Sequence, residues 1–322
     1  MSGWTAGIVF TGGLLCFLYG MGLMAGSLKN AVGAGLEHRL RRTLRRPISG
    51  VLLGIGTTAA IQSSSAVTVL LIGLVHAGLL PFGAAIGVVL GADIGTTATA
   101  WLLTATVLAG KAAGILTLLL LAGGAILYLT GKEQRKRNIG KVFAGIGILL
   151  YGMEWMGEAT RPLSGSLDLL ERILQGDSLL AEIAVGFLFT ALIQSSSAAV
   201  GILQTLSLTG SLGCKTAFPL ILGINLGTCI TAVLASWRMK KSAKRVALVH
   251  ILIKFSEILL GLGGFGLLHL WGADGIWNQA AGPADIAVFH TLLNVLTVFC
   301  LFPFTGKLEK LCSKILPEKE KG

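Results

Sequence analysis

The chain of 322 residues contains an internal duplication at an offset of 132 residues. The phrase Ile-Gln-Ser-Ser-Ser-Ala occurs at residues 61–66 and again at 193–198, and Leu-Tyr-Gly-Met at 18–21 recurs at 150–153. A third pair, Leu-Gly-Ala-Asp-Ile-Gly-Thr at 90–96 and Leu-Gly-Ile-Asn-Leu-Gly-Thr at 222–228, keeps the same offset. Three phrases in one register indicate two copies of one structural unit. In an apolar chain, such copies are typical of transporters with a site between the halves.

The composition places these copies in a membrane. Hydrophobic residues make up 53% of the chain, charged residues only 13%, and the mean hydropathy is +0.80. This composition does not suit a surface exposed to water. The net charge of +11 comes from short basic clusters without a nucleic-acid-reading motif, so no nucleic-acid partner is expected. We therefore predict an all-α, multi-pass protein of the cell (plasma) membrane, with the lipid bilayer as its solvent.

Seven apolar segments are long enough to cross a bilayer, which takes about 20 residues. They run from Trp4 to Leu28, Pro81 to Thr106, Ala112 to Leu129, Val142 to Met156, Ala217 to Trp237, Val246 to His269 and Ile286 to Phe304. Two further apolar stretches, 48–76 and 183–208, contain the serine triplets and are interrupted by Gly, Thr and Ser at their centres. We predict that these two stretches are re-entrant helical hairpins.

The basic clusters fix the predicted topology. They lie at residues 29–46, 132–141, 238–245 and from Lys307 onward, and the positive-inside rule places all four in the cytoplasm. Seven crossings satisfy this rule only if each hairpin enters and leaves by the same face, with the N-terminus outside and the C-terminus cytoplasmic. Three crossings per copy then invert the second copy. We predict a first inverted repeat at 1–131, a second at 132–270, and an extra transmembrane helix with a cytoplasmic tail at 271–322.

The serine triplets are the first candidate site. Small hydroxyl residues often serve helix packing in membranes, but packing does not require the same Gln-Ser-Ser-Ser at both predicted hairpin tips. A tip at membrane depth presents backbone amides that suit an oxyanion and carbonyl groups that suit a small cation. Serine hydroxyls donate and accept, and glutamine adds an amide without a buried charge. The tips are therefore candidate sites for ions of either sign.

The second candidate element is Gly-x-[Asp/Asn]-x-Gly-Thr, in the middle of a predicted spanning helix. Its glycines predict a break in each helix, where an unwound turn would free carbonyl oxygens for a hard cation. Asp93 is an ionisable group at this depth and is therefore a candidate ligand for sodium or a proton. The alternative is a neutral or hydrogen-bonded structural carboxyl. Asn225 is its uncharged counterpart in the second copy.

Two histidines follow a smaller pattern near the end of the chain. His250 is followed by Lys254 and His290 by Asn294, each one helical turn later. No cysteine or carboxylate pair completes a metal site, so we favour interhelical hydrogen bonds. Lys254 is expected to pair with Glu257, or alternatively to attract an anion. The five scattered cysteines, and the lack of any catalytic set or nucleotide loop, predict no enzyme, no cofactor and no transition-metal site.

The paired Gln-Ser-Ser-Ser elements, each followed by Gly-x-[Asn/Asp]-x-Gly-Thr, and the closing Ala-x-x-His-x-x-x-Asn helix resemble the type II sodium/phosphate cotransporter family in its compact bacterial form. The resemblance covers the chain from about Leu14 to Phe304. It implies sodium-coupled movement of inorganic phosphate by alternating access. The implied substrate-binding residues are Gln62, Ser63, Ser64, Ser65, Gln194, Ser195, Ser196, Ser197, Asn225 and Thr228. The sodium-binding residues expected with them are Gln62, Ser65, Asp93, Thr96, Gln194, Ser197 and Asn225.

The sequence departs from the family pattern at two charged positions. Asp93 and Lys254 stand where the family often has Asn, which leaves the charge stoichiometry and the choice of cation open. The alternatives in transport are another oxyanion, such as sulfate or a carboxylate, and net phosphate export. A channel or a non-transporting scaffold or sensor is the alternative outside secondary transport. An oligomer is possible, and the sequence does not say which serine binds phosphate and which binds sodium.

Overall fold

The computed structural model describes residues 3–32, 47–108, 112–160, 178–208, 210, 212–270, 274–277 and 279–317. These residues form helices joined by turns, with an isolated β-bridge between Gly213 and Ala280. The helices are α1 (Gly3–Val32), α2 (Pro47–Ile61), α3 (Ser64–His76), α4 (Phe82–Leu108), α5 (Ala112–Thr130), α6 (Gln134–Thr160), α7 (Leu179–Ile193), α8 (Ser196–Ser207), α9 (Cys214–Gly227), α10 (Cys229–Ser236), α11 (Lys241–Leu270), α12 (Asp274–Trp277), α13 (Pro283–Leu301) and α14 (Thr305–Ile315). A short 3₁₀ turn, Phe302–Phe304, joins the last two helices.

The sequence duplication reappears as a succession of helices that occurs twice. Helices α2 and α7 each have 15 residues and start at the same repeat position, and α3 and α8 start at equivalent serines. The counterparts of α1 and α5 are α6 and α11, whereas α4 corresponds to α9 and α10 together. Both predicted hairpin stretches therefore form helix–turn–helix units. The relative orientation of the two copies in the membrane stays a prediction.

The protein is a multi-pass membrane protein. In the described part of the chain, six helical segments are long and apolar enough to cross a bilayer: 4–27, 82–107, 134–159, 214–236, 241–267 and 283–315. The predicted seventh crossing forms α5, which is apolar but shorter, so the count of seven stays a prediction. Large apolar side chains cover the outer surface, as with Leu192 at 83% exposure and Phe299 at 77%. Such a surface suits lipid.

Helix α4 lies at the centre of the molecule. It contacts α2, α3, α8, α11 and α13, and 78% of its spanning segment is buried, the largest share among the six segments. The buried apolar residues form three clusters, and α4 contributes to each of them, through Leu90, Ala100 and Leu103 respectively. This position lets polar side chains on α4 face several helices at once.

The predicted break in the first copy is wrong. Helix α4 runs without interruption through Gly91, Asp93 and Gly95. In the second copy, α9 ends at Gly227 and α10 begins two residues later, with Thr228 between them in right-handed helical geometry. The second break is therefore slight. The glycines do not unwind α4, and they have a different role.

That role is close helix packing. A Cβ on Gly91 would collide with the Val51 carbonyl oxygen of α2, and a Cβ on Gly54 would collide with the Val88 carbonyl oxygen of α4. The repeat-related glycines, Gly223 and Gly186, meet the backbones of α7 and α9 in the same way. These glycines therefore let the first helix of each hairpin lie directly against the helix that follows the hairpin. A glycine pattern alone does not distinguish close packing from unwinding.

Candidate functional site

Each hairpin turns at its glutamine and first serine. Gln62 and Gln194 have φ angles of 57° and 56°, in the left-handed region that non-glycine residues seldom adopt. Ser63 and Ser195 are extended, and each hydroxyl accepts a hydrogen bond from the backbone amide three residues on, at 3.2 Å. The first serine of each triplet is therefore the N-cap of the second hairpin helix.

This turn determines what the other serines can do. The amides in the first turn of a helix have no partner within the helix, and capping uses only some of them. Ser64, Ser65, Ser196 and Ser197 lie in that first turn, at the positive end of the helix dipole. Each tip thus combines backbone donors with hydroxyl groups. An oxyanion and small cations are the ligands that such a set can hold.

The two tips meet on Thr99 of α4. The Thr99 hydroxyl donates to Gln62 Oε1, and it lies 3.4 Å from Ser197 Oγ, although Gln62 and Ser197 belong to different copies. Thr99 is 1% exposed. The two hairpin tips, which the duplication predicts to approach each other, are therefore neighbours in the structure. Thr99 itself was not predicted, although the sequence has a threonine, Thr231, at the equivalent position of the second copy.

The two tips differ in their surroundings. Gln62 is half-buried, and its Nε2 donates to the Ala59 carbonyl oxygen at 2.6 Å while its Oε1 accepts from Thr99. Gln194 is exposed, and the Thr231 hydroxyl is buried without a hydrogen-bond partner. The glutamine of the first tip is therefore held by the protein, whereas the glutamine of the second tip is exposed.

Beside α4, a buried ionic cluster surrounds Lys254 of α11. Its Nζ lies 3.0 Å from Asp93 Oδ1, 2.8 Å from Glu257 Oε2 and 3.4 Å from Asn294 Oδ1. All four side chains are 5% exposed or less. The predicted pair of Lys254 with Glu257 is confirmed. The ion pair with Asp93 was not predicted. Asp93 and Lys254 lie on helices far apart in the sequence, and a single sequence does not show which helices pack together.

A hydrogen-bonded network extends this cluster to Asn225 of α9 and to the two histidines. Asn225 Nδ2 donates to Glu257 Oε1, and Asn225 Oδ1 lies 3.1 Å from His290 Nε2. The Thr228 hydroxyl donates to the Asn225 carbonyl oxygen at 2.7 Å and lies 3.4 Å from His250 Nε2. The predicted interhelical hydrogen bonding of both histidines is confirmed. Both amide atoms of Asn225 are therefore engaged by the protein in this conformation.

Several buried oxygen atoms remain without a hydrogen-bond partner. Among the described residues they include the hydroxyls of Thr58 and Thr190, which are repeat counterparts one turn before each glutamine, and Asp93 Oδ2. Both threonines are fully buried. Sequence analysis missed them, although their equivalent positions in the repeat could have identified them. In the same described residues no group of three His, Cys, Asp or Glu side chains could hold a metal ion.

The structure sorts the predicted site residues into two groups. The tips contribute the two Gln-Ser-Ser-Ser segments, Gln62 to Ser65 and Gln194 to Ser197, which Thr99 joins. The ionic cluster and its network contain Asp93, Asn225 and Thr228. Thr96 belongs to neither group by hydrogen bonding, because its hydroxyl donates to the Ala92 carbonyl oxygen of its own helix.

Two repeated, serine-capped hairpins around a buried polar centre, in a multi-pass helical protein, are typical of membrane transporters. Comparison with known proteins agrees. The sequence profile of the Na+/Pi-cotransporter family matches residues 16–158 and 165–270. The chain belongs to this family, which is a family of phosphate transporters. No solved structure matches the chain.

Similar proteins come from bacteria and animals. The uncharacterized protein YqeW of Bacillus subtilis is 32% identical over 97% of this chain and 99% of its own length. YjbB of Escherichia coli K12, provisionally named an inorganic phosphate export protein, is 29% identical over 94% of this chain, which spans 54% of YjbB. The human sodium-dependent phosphate transport protein 2B is 35% identical over 128 residues, or 38% of this chain and 18% of its own length.

Proposed function

We propose that the protein is a sodium-coupled secondary transporter of inorganic phosphate that works by alternating access. The observation that carries this proposal is the meeting of two repeat-related, serine-capped hairpin tips on Thr99. Such a pair of helix N-termini suits a small oxyanion shared between two copies. The names of the related human and Escherichia coli proteins support phosphate as that oxyanion.

Phosphate binds, in this proposal, to neutral donors at the two tips. Neither triplet contains Arg or Lys, so backbone amides and hydroxyls of Ser63 to Ser65 and Ser195 to Ser197 supply the hydrogen bonds. A dianion in a buried neutral site is costly unless cations accompany it. Sodium therefore binds beside phosphate, and each ion raises the affinity for the other by linkage.

The proposed sodium ligands are oxygen atoms at the tips. Gln62, Gln194, Ser65 and Ser197 supply side-chain oxygens there. The hydroxyl oxygens of Thr58 and Thr190, one turn before the tips, have no hydrogen-bond partner and are further candidate ligands for sodium. Thr96 and Asn225 were also predicted. The Thr96 hydroxyl donates within its own helix and keeps its lone pairs, whereas both amide atoms of Asn225 are engaged in the network around Lys254. The role of Asp93 is treated separately below.

Contacts between loops support the proposed topology. His76 Nδ1 accepts from the Lys240 amide at 3.1 Å, and Arg245 Nε donates to the Leu316 carbonyl oxygen at 3.0 Å. These contacts join segments that the basic clusters place in the cytoplasm. Residues 212–214 bond to 279–281, and both segments are predicted to lie outside. Segments with the same predicted side thus contact each other.

Helix length supports re-entrant hairpins. Helices α2 and α3 have 15 and 13 residues, which correspond to about 22 and 20 Å at about 1.5 Å per residue. The hydrocarbon core is about 30 Å thick, so neither helix spans it alone. Polar, non-helical backbone at the tip is tolerated at membrane depth because it is buried in protein. With seven crossings and the basic clusters in the cytoplasm, the N-terminus is outside and the C-terminus cytoplasmic in this proposal.

Uptake of radiolabelled phosphate into proteoliposomes tests the function. We expect saturable uptake with sodium outside and little uptake with potassium, because sodium completes the phosphate site. Sulfate at equal concentration should compete weakly if phosphate is the substrate. Equal uptake with both cations would contradict sodium coupling, and uptake that never saturates would indicate a channel.

Direction is tested with the same vesicles. The name of YjbB makes net export the second candidate. Proteoliposomes preloaded with phosphate should release it faster when sodium is inside than when potassium is inside. A carrier that moves phosphate both ways, according to the sodium gradient, supports the proposal. Efflux that ignores the sodium gradient would favour an uncoupled exporter.

A further inference from the structure

The Lys254 ammonium has a complete set of oxygen partners. It contacts Asp93 of α4, Glu257 of its own helix and Asn294 of α13, at 3.0, 2.8 and 3.4 Å. A lysine ammonium has three N–H donors, and these three oxygens use all of them. No donor is left for phosphate. The geometry therefore does not support the alternative in which Lys254 attracts an anion.

The same three oxygens form a pocket for one positive charge. Two carboxylates and an amide oxygen converge from three helices, with a side chain that is 4% exposed at their centre. Hard, oxygen-rich surroundings of this kind suit a small monovalent cation as well as an ammonium. The titratable groups that face this pocket are Asp93 of α4, Lys254, Glu257 and His250 of α11, His290 of α13 and Cys229 of α10.

The Lys254 ammonium occupies the place between the two carboxylates that a free cation would need. Two carboxylates face a single ammonium, and Asp93 Oδ2 is buried without a hydrogen-bond partner. While Lys254 is present, its charge repels a second cation. The backbone carbonyls of α4 are also engaged, because this helix is continuous through Asp93. Without Lys254, a free cation would meet two carboxylates and no competing charge.

We propose that Asp93, Glu257 and Asn294 form a cation-binding pocket that the chain fills with its own Lys254 ammonium. Lys254 is a tethered substitute for a sodium ion, and it reduces by one the number of sodium ions that bind. This inference rests on the proposed function only for the consequence that fewer sodium ions are coupled to each phosphate. Asp93 is then the counter-charge of Lys254 rather than a ligand of transported sodium.

The test is sodium binding by Lys254→Asn in phosphate-free buffer. The substitution removes the tethered charge and leaves space and an amide oxygen beside Asp93 and Glu257. We expect saturating sodium, compared with choline at equal ionic strength, to raise the melting temperature of the variant by roughly 5 °C more than that of the wild type. In sodium-coupled uptake, the variant should use one more sodium ion per phosphate.

Two further variants serve as controls. Lys244→Asn removes a lysine from the same helix, ten residues from the pocket, and should respond to sodium like the wild type. Asp93→Asn combined with Lys254→Asn removes one of the two carboxylates as well. It should need about tenfold more sodium for half its stabilisation than Lys254→Asn alone, because a coordinating charge is lost.

Three results would overturn the proposal. The first is a sodium response of Lys254→Asn no larger than that of the wild type. The second is a double variant that responds as strongly as the single variant. The third is a Lys254→Asn protein that stays unfolded at every sodium concentration while the double variant folds in choline, because sodium then fails to fill the pocket. Failure of the wild type to couple phosphate to sodium would instead contradict the proposed function, since these melting measurements use no phosphate.

Discussion

The Thr99 hydroxyl joins three parts of the chain that lie far apart in sequence. It donates to Gln62 at the first tip, lies near Ser197 at the second, and belongs to the central helix α4. One hydroxyl has one proton, so its donation to Gln62 leaves only its lone pairs for Ser197. Ser197 is therefore the donor in that second contact. The position of the first tip depends on a group that is not itself part of either triplet.

Thr99→Val should impair phosphate transport. Valine keeps the shape of the side chain but leaves Gln62 Oε1 without its donor, which costs about 1–3 kcal/mol. We expect phosphate uptake at low phosphate to fall about tenfold, since a factor of ten corresponds to about 1.4 kcal/mol. Thr97→Val is the matched control, because the Thr97 hydroxyl bonds only to the Ile94 carbonyl oxygen of its own helix. Equal uptake by the two variants would show that Thr99 does not position the tip.

Residue roles were predictable where the two copies agree and where partners are close in sequence. The serine triplets were found by repetition, and the pair of Lys254 with Glu257 by helical spacing. The capping role of Ser63 depends on the left-handed turn at Gln62, which no propensity predicts for glutamine. The ion pair of Asp93 with Lys254 depends on how α4 packs against α11. A pattern within one sequence does not contain that information.

Among the contacts between helices, the sequence specifies most clearly the one between the first helix of each hairpin and the helix that follows the hairpin. Helix α2 lies against α4 and α7 against α9, with glycines at the crossing in both copies. The boundaries of the hairpin stretches were predicted within a few residues, because apolar runs and their interruptions are visible in sequence. The prediction of a break in α4 is wrong, because the same glycines are compatible with a continuous helix that packs closely against its neighbour.

Two glycines of α2 provide a test of this packing. Gly54→Ala places a methyl group against the Val88 carbonyl oxygen and should destabilise the protein by about 1–3 kcal/mol or more. Gly56→Ala lies two residues away with open space around it, and should stabilise by up to about 1 kcal/mol through helix propensity. Thermal unfolding followed by circular dichroism should therefore move in opposite directions. A Gly54→Ala variant as stable as Gly56→Ala would mean that α2 and α4 are farther apart than described.

At the scale of the whole molecule, a duplicated sequence has produced an unequal structure. Gln62 is held by Thr99 and Ala59, whereas its counterpart Gln194 is exposed and Thr231 has no hydrogen-bond partner. A carrier with two equivalent halves is expected to be unequal in any one state of alternating access, because only one side of the site is open at a time.

The proposed topology predicts which side of the membrane each hairpin end reaches. Ala77 and Leu208 directly follow the second helix of their hairpins, Ser178 precedes the first helix of the second hairpin, and all three are exposed. In a background without the native cysteines, Ser178→Cys and Leu208→Cys should both react with a membrane-impermeant maleimide added to intact cells. Ala77→Cys should react only after the membrane is permeabilised, because the first hairpin opens to the cytoplasm.

Labelling at Ser178 and Leu208 distinguishes a re-entrant second hairpin from a spanning one. A spanning hairpin would place Ser178 and Leu208 on opposite sides, so only one of the two cysteines would react in intact cells. Ala77→Cys in turn tests the inversion of the copies, since two parallel copies would expose it together with Leu208→Cys. Labelling of all three from outside would leave the hairpins re-entrant but would contradict inverted repeats. Because His76 contacts Lys240, labelling of Ala77 from outside would also place the basic segment 238–245 outside, against the positive-inside rule.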